Sequence, residues 1–237
     1  MTKPLVSVII PVFNEEATIE AVLRRAAAED LKGWEKEIIV VDDGSTDNSK
    51  LKTLNFKQEC QTQHCVLAAH EKNQGKGAAI RTGLEHATGE YVLIQDADLE
   101  YDPADWPALL AAAEKNPGAV IYGSRNLNPG RQGYRHYVWG VWLLTKFTNL
   151  LFGSTLTDVY TGYKLIPAAA FKTLSLASVG FEFEAEVTAQ LLKKGVAIKE
   201  VPIRYCPRKF SEGKKIRWRD GLVGFWTIVR RRFSSKC

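Results

Sequence analysis

The chain is poor in cysteine. Its four cysteines, Cys60, Cys65, Cys206 and Cys237, show none of the paired spacings of a disulfide framework, and in a reducing compartment we expect free thiols. His64 lies beside Cys65, but no fourth ligand stands near in sequence, and a structural zinc site needs four. The sequence therefore argues against a disulfide-stabilised scaffold and against a zinc module.

The sequence also lacks a secretory signal, a low-complexity linker and an internal repeat. The chain enters the β-branched segment 5–10 after four residues, and this segment is too short for the apolar core of a signal peptide. The most apolar stretch, 136–152, falls short of the ~20 residues that span a bilayer, and Lys146 interrupts it. We expect a cytoplasmic protein with one domain over residues 1–237.

Two phosphate-binding motifs are missing as well, the glycine-rich dinucleotide fingerprint and the P-loop. The first half of the chain instead alternates short apolar segments with amphipathic ones. This pattern predicts strands at 5–12, 37–41, 65–69, 91–95 and 119–122, and helices at 17–29, 77–87 and 103–115. Such alternation is typical of an α/β fold with a mostly parallel central sheet and helices on both faces.

The clearest chemical signal follows the predicted strand 91–95. Asp96, Asp98 and Glu100 occupy every second position, so in an extended segment they would point the same way. Three carboxylates repel one another unless a cation lies among them, and hard oxygen ligands favour Mg²⁺ or Mn²⁺. The alternative is an acidic loop that caps the next helix, because Asp102-Pro103 has the form of an N-cap followed by proline.

Polar residues also lie at the ends of other predicted elements. Asn14 and Glu15 follow the first strand, and Asp42 and Asp43 follow the second. In such a sheet ligands bind beyond the carboxyl ends of the strands, where a carboxylate can accept hydrogen bonds from a base or a ribose. The same residues can form an ordinary turn and helix cap. Lys76, between two glycines before a helix, is placed to approach a phosphate.

Basic residues are concentrated toward the C-terminus. Arg125 follows the fifth predicted strand and Arg131 lies in the loop after it, where arginine forks would match phosphate oxygens. Lys214 and Lys215 belong to a basic loop that could close on a phosphate. These charges indicate a phosphate-bearing partner. Nucleic acid is disfavoured, because the charges are interleaved with an apolar face rather than with a recognition helix.

Two apolar stretches are expected to form helices that lie on a membrane surface, 136–152 and a C-terminal amphipathic helix. The C-terminal helix carries apolar residues on one face and basic residues at both ends, a pattern of helices in the plane of an anionic membrane. Its apolar face would consist of Trp218, Leu222, Phe225, Trp226 and Val229. The alternative is that both helices pack on the sheet.

Six motifs follow one another along the chain. They are Pro11-Val12-Phe13-Asn14-Glu15, Val41-Asp42-Asp43-Gly44-Ser45, Asn73-Gln74-Gly75-Lys76-Gly77, Asp96-Ala97-Asp98, Gly123-Ser124-Arg125 and Asp158-Val159-Tyr160-Thr161-Gly162-Tyr163-Lys164. Together these motifs resemble those of the family 2 inverting glycosyltransferases. Over about residues 5–232 the chain looks like the dolichyl- or polyprenyl-phosphate hexosyltransferases of the dolichol-phosphate mannose synthase type.

The resemblance implies a GT-A-type fold, with a nucleotide-sugar-binding half at about 5–125 and an acceptor- and membrane-facing half at about 126–237. It implies that Asp96 and Asp98 hold the metal and the donor diphosphate, with Asp98 and Arg125 at the centre of catalysis. Glu100 stands where glutamine is common in the mannose synthases and is kept as a metal ligand. The residues implied to hold the nucleoside are Pro11, Asn14, Glu15, Asp42 and Asp43.

The implied reaction moves a hexose, with mannose favoured, from GDP-mannose, UDP-glucose or UDP-N-acetylglucosamine to a polyprenyl phosphate at a membrane surface. The resemblance also allows a membrane-bound partner subunit. A lipid phosphate arrives as an anion, so no general base is needed; the segment 181–186 offers carboxylates if one is, or forms the charged face of a helix at 182–194. The alternatives are transfer to a saccharide hydroxyl in polysaccharide synthesis, and a nucleotide-sugar-binding, membrane-docking protein without turnover.

Overall fold

The computed structural model describes residues 3–59, 64–128, 135–208 and 218–234, with only the backbone for 135–138 and 218–220. In these ranges seven strands form one sheet in the order β3-β2-β1-β4-β6-β5-β7. The strands are β1 Leu5–Val12, β2 Glu35–Asp42, β3 Cys65–Ala69, β4 Tyr91–Ile94, β5 Val120–Ser124, β6 Lys164–Pro167 and β7 Ile198–Pro202.

Eight α-helices and one 3-10 turn accompany the sheet within the described residues. The turn is Pro103–Asp105, and the side chain of Asp102 accepts a hydrogen bond from the Ala104 amide, so its predicted N-cap role is confirmed. The helices are α1 Ile19–Ala28, α2 Ser49–Glu59, α3 Lys76–His86, α4 Trp106–Lys115, α5 Arg135–Phe152, α6 Ala168–Lys172, α7 Phe183–Lys193 and α8 Trp218–Phe233.

Strand β6 runs against the rest of the sheet. β1 pairs in parallel with β2 and β4, β2 with β3, and β5 with β7, whereas β6 is antiparallel to both β4 and β5. Because Tyr122 near the end of β5 lies opposite Lys164 at the start of β6, residues just before β6 reach the carboxyl edge of the parallel strands. This reversal brings a second segment to the edge where ligands bind in parallel sheets.

The core lies on both faces of the sheet. Val8 and Ile10 of β1 belong to a buried cluster that includes Trp106 of α4, and Ile9 belongs to a second cluster that includes Phe183 of α7. Successive residues of a strand point to opposite faces, so one apolar strand serves both clusters. The predicted mostly parallel sheet with helices on both faces is confirmed.

Several elements are missing from the sequence prediction. Helix α2 escapes it because only Ser49, Thr53 and Phe56 are buried, which gives no clear apolar stripe. Strand β6 is four residues long and begins with a buried lysine, so no apolar run marks it. The predicted helices at 17–29 and 77–87 begin at Ile19 and Lys76 instead.

Helices α5 and α8 pack against each other, and α8 also packs against α7. The rings of Phe147 and Phe225 stack with centroids 4.4 Å apart, and Ile228 is fully buried. Phe225, one of the residues predicted to form the membrane-facing apolar face, therefore also packs on α5, although 42% of it stays exposed. Among the described residues, none of the helices is both long and apolar enough to cross a membrane.

Candidate active site

The acidic residues after β4 lie in a turn rather than in an extended segment. β4 ends at Ile94, residues 97–100 form a turn, and Leu99 has a left-handed backbone with φ of 59°. The prediction that Asp96, Asp98 and Glu100 point the same way by strand alternation is therefore wrong. The three carboxylates still lie close enough that Asp96 and Glu100 act electrostatically on Asp98.

Lys76, at the start of α3, is bound within this acidic edge. Its Nζ lies 2.6 Å from Asp96 Oδ1 and 2.9 Å from Glu184 Oε1. Burial alone would lower the pKa of Lys76, but the two carboxylates outweigh burial and raise that pKa above its ordinary value. Lys76 is thus a fixed cation beside Asp96.

Arg208 is a second cation at this edge. Its Nη1 lies 2.8 Å from Glu15 Oε2 and its Nη2 lies 3.2 Å from Asp98 Oδ2. Glu100 holds the segment that carries Arg208, because its carboxylate accepts hydrogen bonds from the Arg208 amide at 2.8 Å and from the Tyr205 hydroxyl at 2.6 Å. The sequence offers no local signal for this contact, since Arg208 is one of many basic residues near the C-terminus.

Burial raises the pKa of the Asp98 carboxyl to about 7, and repulsion from Asp96 and Glu100 acts in the same direction. Attraction to Arg208 offsets only part of this effect. The ionised form of Asp98 is therefore disfavoured without a further positive charge. A divalent cation next to this carboxylate would supply that charge.

This shift predicts a pH-dependent stability of the chain without metal. The raised pKa of Asp98 stabilises the folded state fully below ~4, the pKa of an unfolded aspartate, and this stabilisation is lost as pH rises through about 7. Asp98→Asn removes the titrating group, so we expect it to stabilise the chain more at pH 8 than at pH 5. The difference between the two changes in the free energy of unfolding is expected to be about 1 kcal/mol or more. Urea denaturation of both proteins at the two pH values measures this; an equal effect at both would contradict it.

Asp42 has a buried oxygen without a hydrogen-bond partner. Its Oδ1 accepts a hydrogen bond from the Ser45 amide at 3.0 Å, whereas Oδ2 has no partner among the described residues. A buried acceptor left unpaired is costly, so a ligand donor at this position would be stabilised. Asn14, with φ of 50°, accepts the Thr46 amide at 2.8 Å and so ties the loop after β1 to the loop after β2.

Asp43 is held by the loop before α3. Its carboxylate accepts hydrogen bonds from the amides of Gln74 and Gly75 at 2.9 and 2.7 Å, and its Oδ1 lies 2.6 Å from His70 Nδ1. These contacts position the loop that carries Lys76. Of the three predicted nucleoside-binding acids, Glu15, Asp42 and Asp43, only Asp42 presents a buried oxygen without a hydrogen-bond partner among the described residues.

Gly44 lets these two loops approach closely. It has φ of 70°, and a Cβ at this position would lie 2.5 Å from the carbonyl carbon of Lys72. We expect Gly44→Ala to destabilise the chain by about 2–4 kcal/mol, from backbone strain and the forced displacement of the neighbouring loop. Gly118→Ala is the matched control, because Gly118 also has positive φ but meets nothing within 4 Å. Equal losses of stability in the two variants would show that the close approach is unimportant.

Arg125, at the end of the described β5 segment, forms a bidentate pair with Asp158. Its Nε lies 2.7 Å from Oδ2 and its Nη2 2.8 Å from Oδ1 of this fully buried carboxylate. Burial would raise the pKa of Asp158, but Arg125 outweighs it and holds that pKa below its usual range. The guanidinium also lies over the Tyr205 ring, 5.0 Å from its centroid. The predicted phosphate-binding residues Arg131, Lys214 and Lys215 lie outside the described residues.

Glu184, the second carboxylate partner of Lys76, also forms a buried ion pair with Lys164. Lys164 Nζ lies 2.5 Å from Glu184 Oε2, and both side chains are buried. The expectation that the acids of 181–186 form an exposed charged face is wrong for Glu184 and Glu186, since both are buried. Burial would raise the pKa of Glu184, but Lys164 and Lys76 lower it below its ordinary value.

The donor set fits a divalent cation that also binds substrate phosphates. Among the described residues no group of three or more histidine, cysteine or acidic side chains is arranged to hold a metal ion by itself. Mg²⁺, however, is usually held by one or two carboxylates with phosphates and waters completing its shell. Asp96 and Asp98 supply two such carboxylates, and the Lys76 and Arg208 cations already bound to them show that positive charge is favoured there.

Comparison with known proteins identifies the class. Residues 7–175 match the model of the family described as "Glycosyl transferase family 2". The chain belongs to this family. The family that the sequence motifs predict is confirmed.

Two curated relatives are each 31% identical to this chain. One is the low-salt glycan biosynthesis hexosyltransferase Agl6 of Haloferax volcanii, matched over 96% of this chain and 52% of its own length. The other is the undecaprenyl-phosphate 4-deoxy-4-formamido-L-arabinose transferase of Enterobacter sp. strain 638, matched over 88% of this chain and 62% of its own length. The chain thus spans only half to three fifths of these relatives.

Solved structures of glucosyl-3-phosphoglycerate synthase from Mycobacterium tuberculosis share the fold. The complex with Mn²⁺, UDP-glucose and phosphoglyceric acid superposes with a TM-score of 0.73 at 20% identity, covering 97% of this chain and 80% of that one. The complex with Mg²⁺ and UDP gives the same TM-score, covering 96% and 79%. The predicted GT-A-type fold is confirmed.

Proposed function

We propose that the chain transfers a hexose from a nucleoside diphosphate sugar to a polyprenyl phosphate, with Mg²⁺ or Mn²⁺ held by Asp96 and Asp98. The observation that carries the proposal is the pairing of these carboxylates with the cations of Lys76 and Arg208 at the carboxyl edge. Both curated relatives support it, since one is named a hexosyltransferase and the other an undecaprenyl-phosphate transferase.

In this proposal the donor binds across the edges of β1, β2 and β4. The unpaired Asp42 oxygen accepts a hydrogen bond from the base or ribose, while Asn14 and Asp43 hold the surrounding loops. Lys76 lies beside Asp96 and neutralises negative charge that develops on the diphosphate. When bound, the divalent cation supplies Lewis-acid stabilisation of the same leaving group.

The candidate bases in 181–186 favour an anionic acceptor over a saccharide hydroxyl. Glu184 is engaged by Lys76 and Lys164. Glu186 accepts the Ala177 and Ser178 amides and pairs with Arg231, and Glu182 accepts the Val179 and Gly180 amides. A hydroxyl acceptor needs a base to remove its proton, whereas a lipid phosphate is already ionised near neutral pH.

In this proposal α5 and α8 form the protein surface that contacts the membrane, and the lipid phosphate reaches the site from there. Both helices expose large apolar side chains, and α8 carries Arg230, Arg231 and Arg232 in its last turn. Basic residues beside exposed tryptophans suit the interface of an anionic membrane. We place the chain at the periphery of the cytoplasmic face. The exposed large apolar side chains are Trp139, Trp142, Leu143 and Leu150 on α5, and Leu222, Val223, Phe225, Trp226 and Phe233 on α8.

We expect Trp226→Glu to weaken binding to vesicles that contain anionic lipid by about tenfold. Trp226 is 65% exposed on α8, so the loss comes from removing an apolar anchor and adding repulsion rather than from unfolding. Co-sedimentation with phosphatidylglycerol vesicles measures the affinity. Leu51→Glu, at a 56% exposed position on α2, is the matched control and is expected to bind like the unaltered chain. Equal binding by both variants would contradict the membrane surface.

The enzymatic test uses purified chain, detergent-dispersed polyprenyl phosphate and a panel of labelled donors: GDP-mannose, UDP-glucose and UDP-N-acetylglucosamine. Label that enters the organic phase from one donor, and that EDTA abolishes, would support the proposal and name the sugar. Transfer to an added oligosaccharide instead would establish the saccharide-hydroxyl alternative. Nucleotide-sugar binding without any transfer, also in the presence of membranes that could supply a partner subunit, would favour a binding protein without turnover.

A further inference from the structure

We infer that the Arg208 side chain is an internal substitute for the divalent cation: the guanidinium and the metal compete for the Asp98 carboxylate, and metal binding displaces the guanidinium from Asp98. The inference rests on the cation site of the proposed function. It adds a competition between a residue of the chain and the ion. Without donor and metal, the Arg208 guanidinium supplies the positive charge beside Asp98.

The main evidence is the position of the Arg208 guanidinium against two carboxylates. Nη1 lies 2.8 Å from Glu15 Oε2, and Nη2 lies 3.3 Å from Glu15 Oε1 and 3.2 Å from Asp98 Oδ2. The same Asp98 carboxylate would have to ligate the cation. A guanidinium this close to a metal ligand would be repelled by the ion, so the two compete for Asp98.

The guanidinium is held by charge more than by a complete set of hydrogen bonds. Its Nε is buried and has no hydrogen-bond partner among the described residues. A buried donor left unpaired is costly, so this resting place is less favourable than the two ion pairs alone would make it. Arg208 is therefore suited to leave when a stronger cation arrives.

Lys76 differs from Arg208 in this respect. Lys76 binds Asp96 but also Glu184, which lies behind the site, so it keeps a carboxylate partner if a metal takes Asp96. The side-chain ion pairs of Arg208 are with Glu15 and Asp98. Arg208 likewise keeps Glu15 if a metal takes Asp98, but its guanidinium also holds a buried Nε without a hydrogen-bond partner among the described residues, so displacement falls on Arg208 rather than on Lys76.

The backbone need not move when the side chain leaves. Glu100 accepts the Arg208 amide and the Tyr205 hydroxyl through its carboxylate, and its carbonyl accepts the Cys206 amide at 2.9 Å. These contacts involve neither Asp98 nor the guanidinium. Glu100 thus acts as the anchor of the segment 205–208 while the guanidinium alternates between two positions.

The test measures Mn²⁺ affinity of the nucleotide-free protein by electron paramagnetic resonance. Arg208→Gln removes the competing charge and is expected to bind Mn²⁺ on the order of tenfold more tightly than the unaltered chain. The gap is expected to narrow when UDP or GDP is added, because the diphosphate helps the ion to displace Arg208. Arg204→Gln is the matched control, since Arg204 pairs with Asp105 and Asp102 and touches neither Glu15 nor Asp98; it is expected to leave Mn²⁺ affinity unchanged.

Unchanged or weaker Mn²⁺ binding by Arg208→Gln overturns the inference while leaving the cation site in place. No Mn²⁺ binding by any variant, with or without nucleotide, overturns the cation site of the proposed function and the inference with it. Should Arg208→Gln fail to fold, as judged by thermal unfolding, Arg208→Lys gives the same test. It keeps the charge but loses the two-pronged contact, so we expect a gain of about threefold over Arg204→Gln, and no gain overturns the inference.

Discussion

Asp98→Asn is expected to lower the rate of sugar transfer by roughly 10³-fold, because it removes an anionic ligand where the donor diphosphate and its cation meet. The amide is almost isosteric with the carboxylate, so packing in the turn after β4 is retained. Burial and like charges raise the pKa of Asp98 to about 7, so its ionised form is electrostatically unfavourable in the unliganded chain. The neutral amide removes this unfavourable charge. Loss of activity is thus expected together with unchanged or greater stability.

Single-turnover transfer and urea denaturation of the same preparation measure the two effects of Asp98→Asn. Asp102→Asn provides the control, since it is the same substitution four positions along the chain at a helix cap, where asparagine serves as well as aspartate. Full activity in Asp98→Asn would remove Asp98 from the reaction. A large loss in Asp102→Asn would show that the whole turn is merely sensitive to substitution.

Lys164→Met is expected to have the largest effect on stability, a loss of about 3–5 kcal/mol, because it leaves the buried Glu184 carboxylate with one cation instead of two. Lys164 is fully buried, and its amine also lies 4.8 Å from the centre of the Tyr122 ring. The unbalanced Glu184 would draw Lys76 away from Asp96. We therefore expect a weaker affinity for the donor as well.

Urea denaturation measures the loss caused by Lys164→Met, and Lys172→Met at an exposed position of α6 is the matched control. Adding Glu184→Gln to Lys164→Met removes the unbalanced charge, so the double variant is expected to recover part of the lost stability. A double variant less stable than Lys164→Met would contradict the account, because it would show that the side chains matter for packing rather than for charge.

The sequence predicts those parts of the fold and site that depend on local pattern. Strands β1 to β5 follow apolar runs, and Asp42 and Asp96 follow the strands that carry them to the carboxyl edge. The turn at Leu99 is not predictable in this way, because leucine rarely adopts the left-handed backbone found there. Nothing in local pattern reveals that Arg208 lies against Glu15, since the contact joins residues 193 positions apart.

Local sequence pattern also fails to indicate strand β6 and the Lys164–Glu184 pair. A buried lysine looks like a surface residue in sequence, and its partner lies on a helix whose charges look exposed. The six motifs indicate the family because they preserve the polar groups in order along the chain. They do not show which cation each carboxylate binds.

The reversed strand β6 has a consequence for how such an enzyme can diverge. The chain leaves the sheet at the end of β5 and re-enters it at the start of β6, beside the point of departure, since Tyr122 lies opposite Lys164. The connection between β5 and β6 therefore begins and ends at neighbouring positions, and its length can change without changing the pairing of the strands. In the function proposed above, α5 lies between β5 and β6 whereas the donor-binding loops follow β1, β2 and β4, so we expect exchange of this segment to change acceptor preference while those strands keep their sequence and pairing.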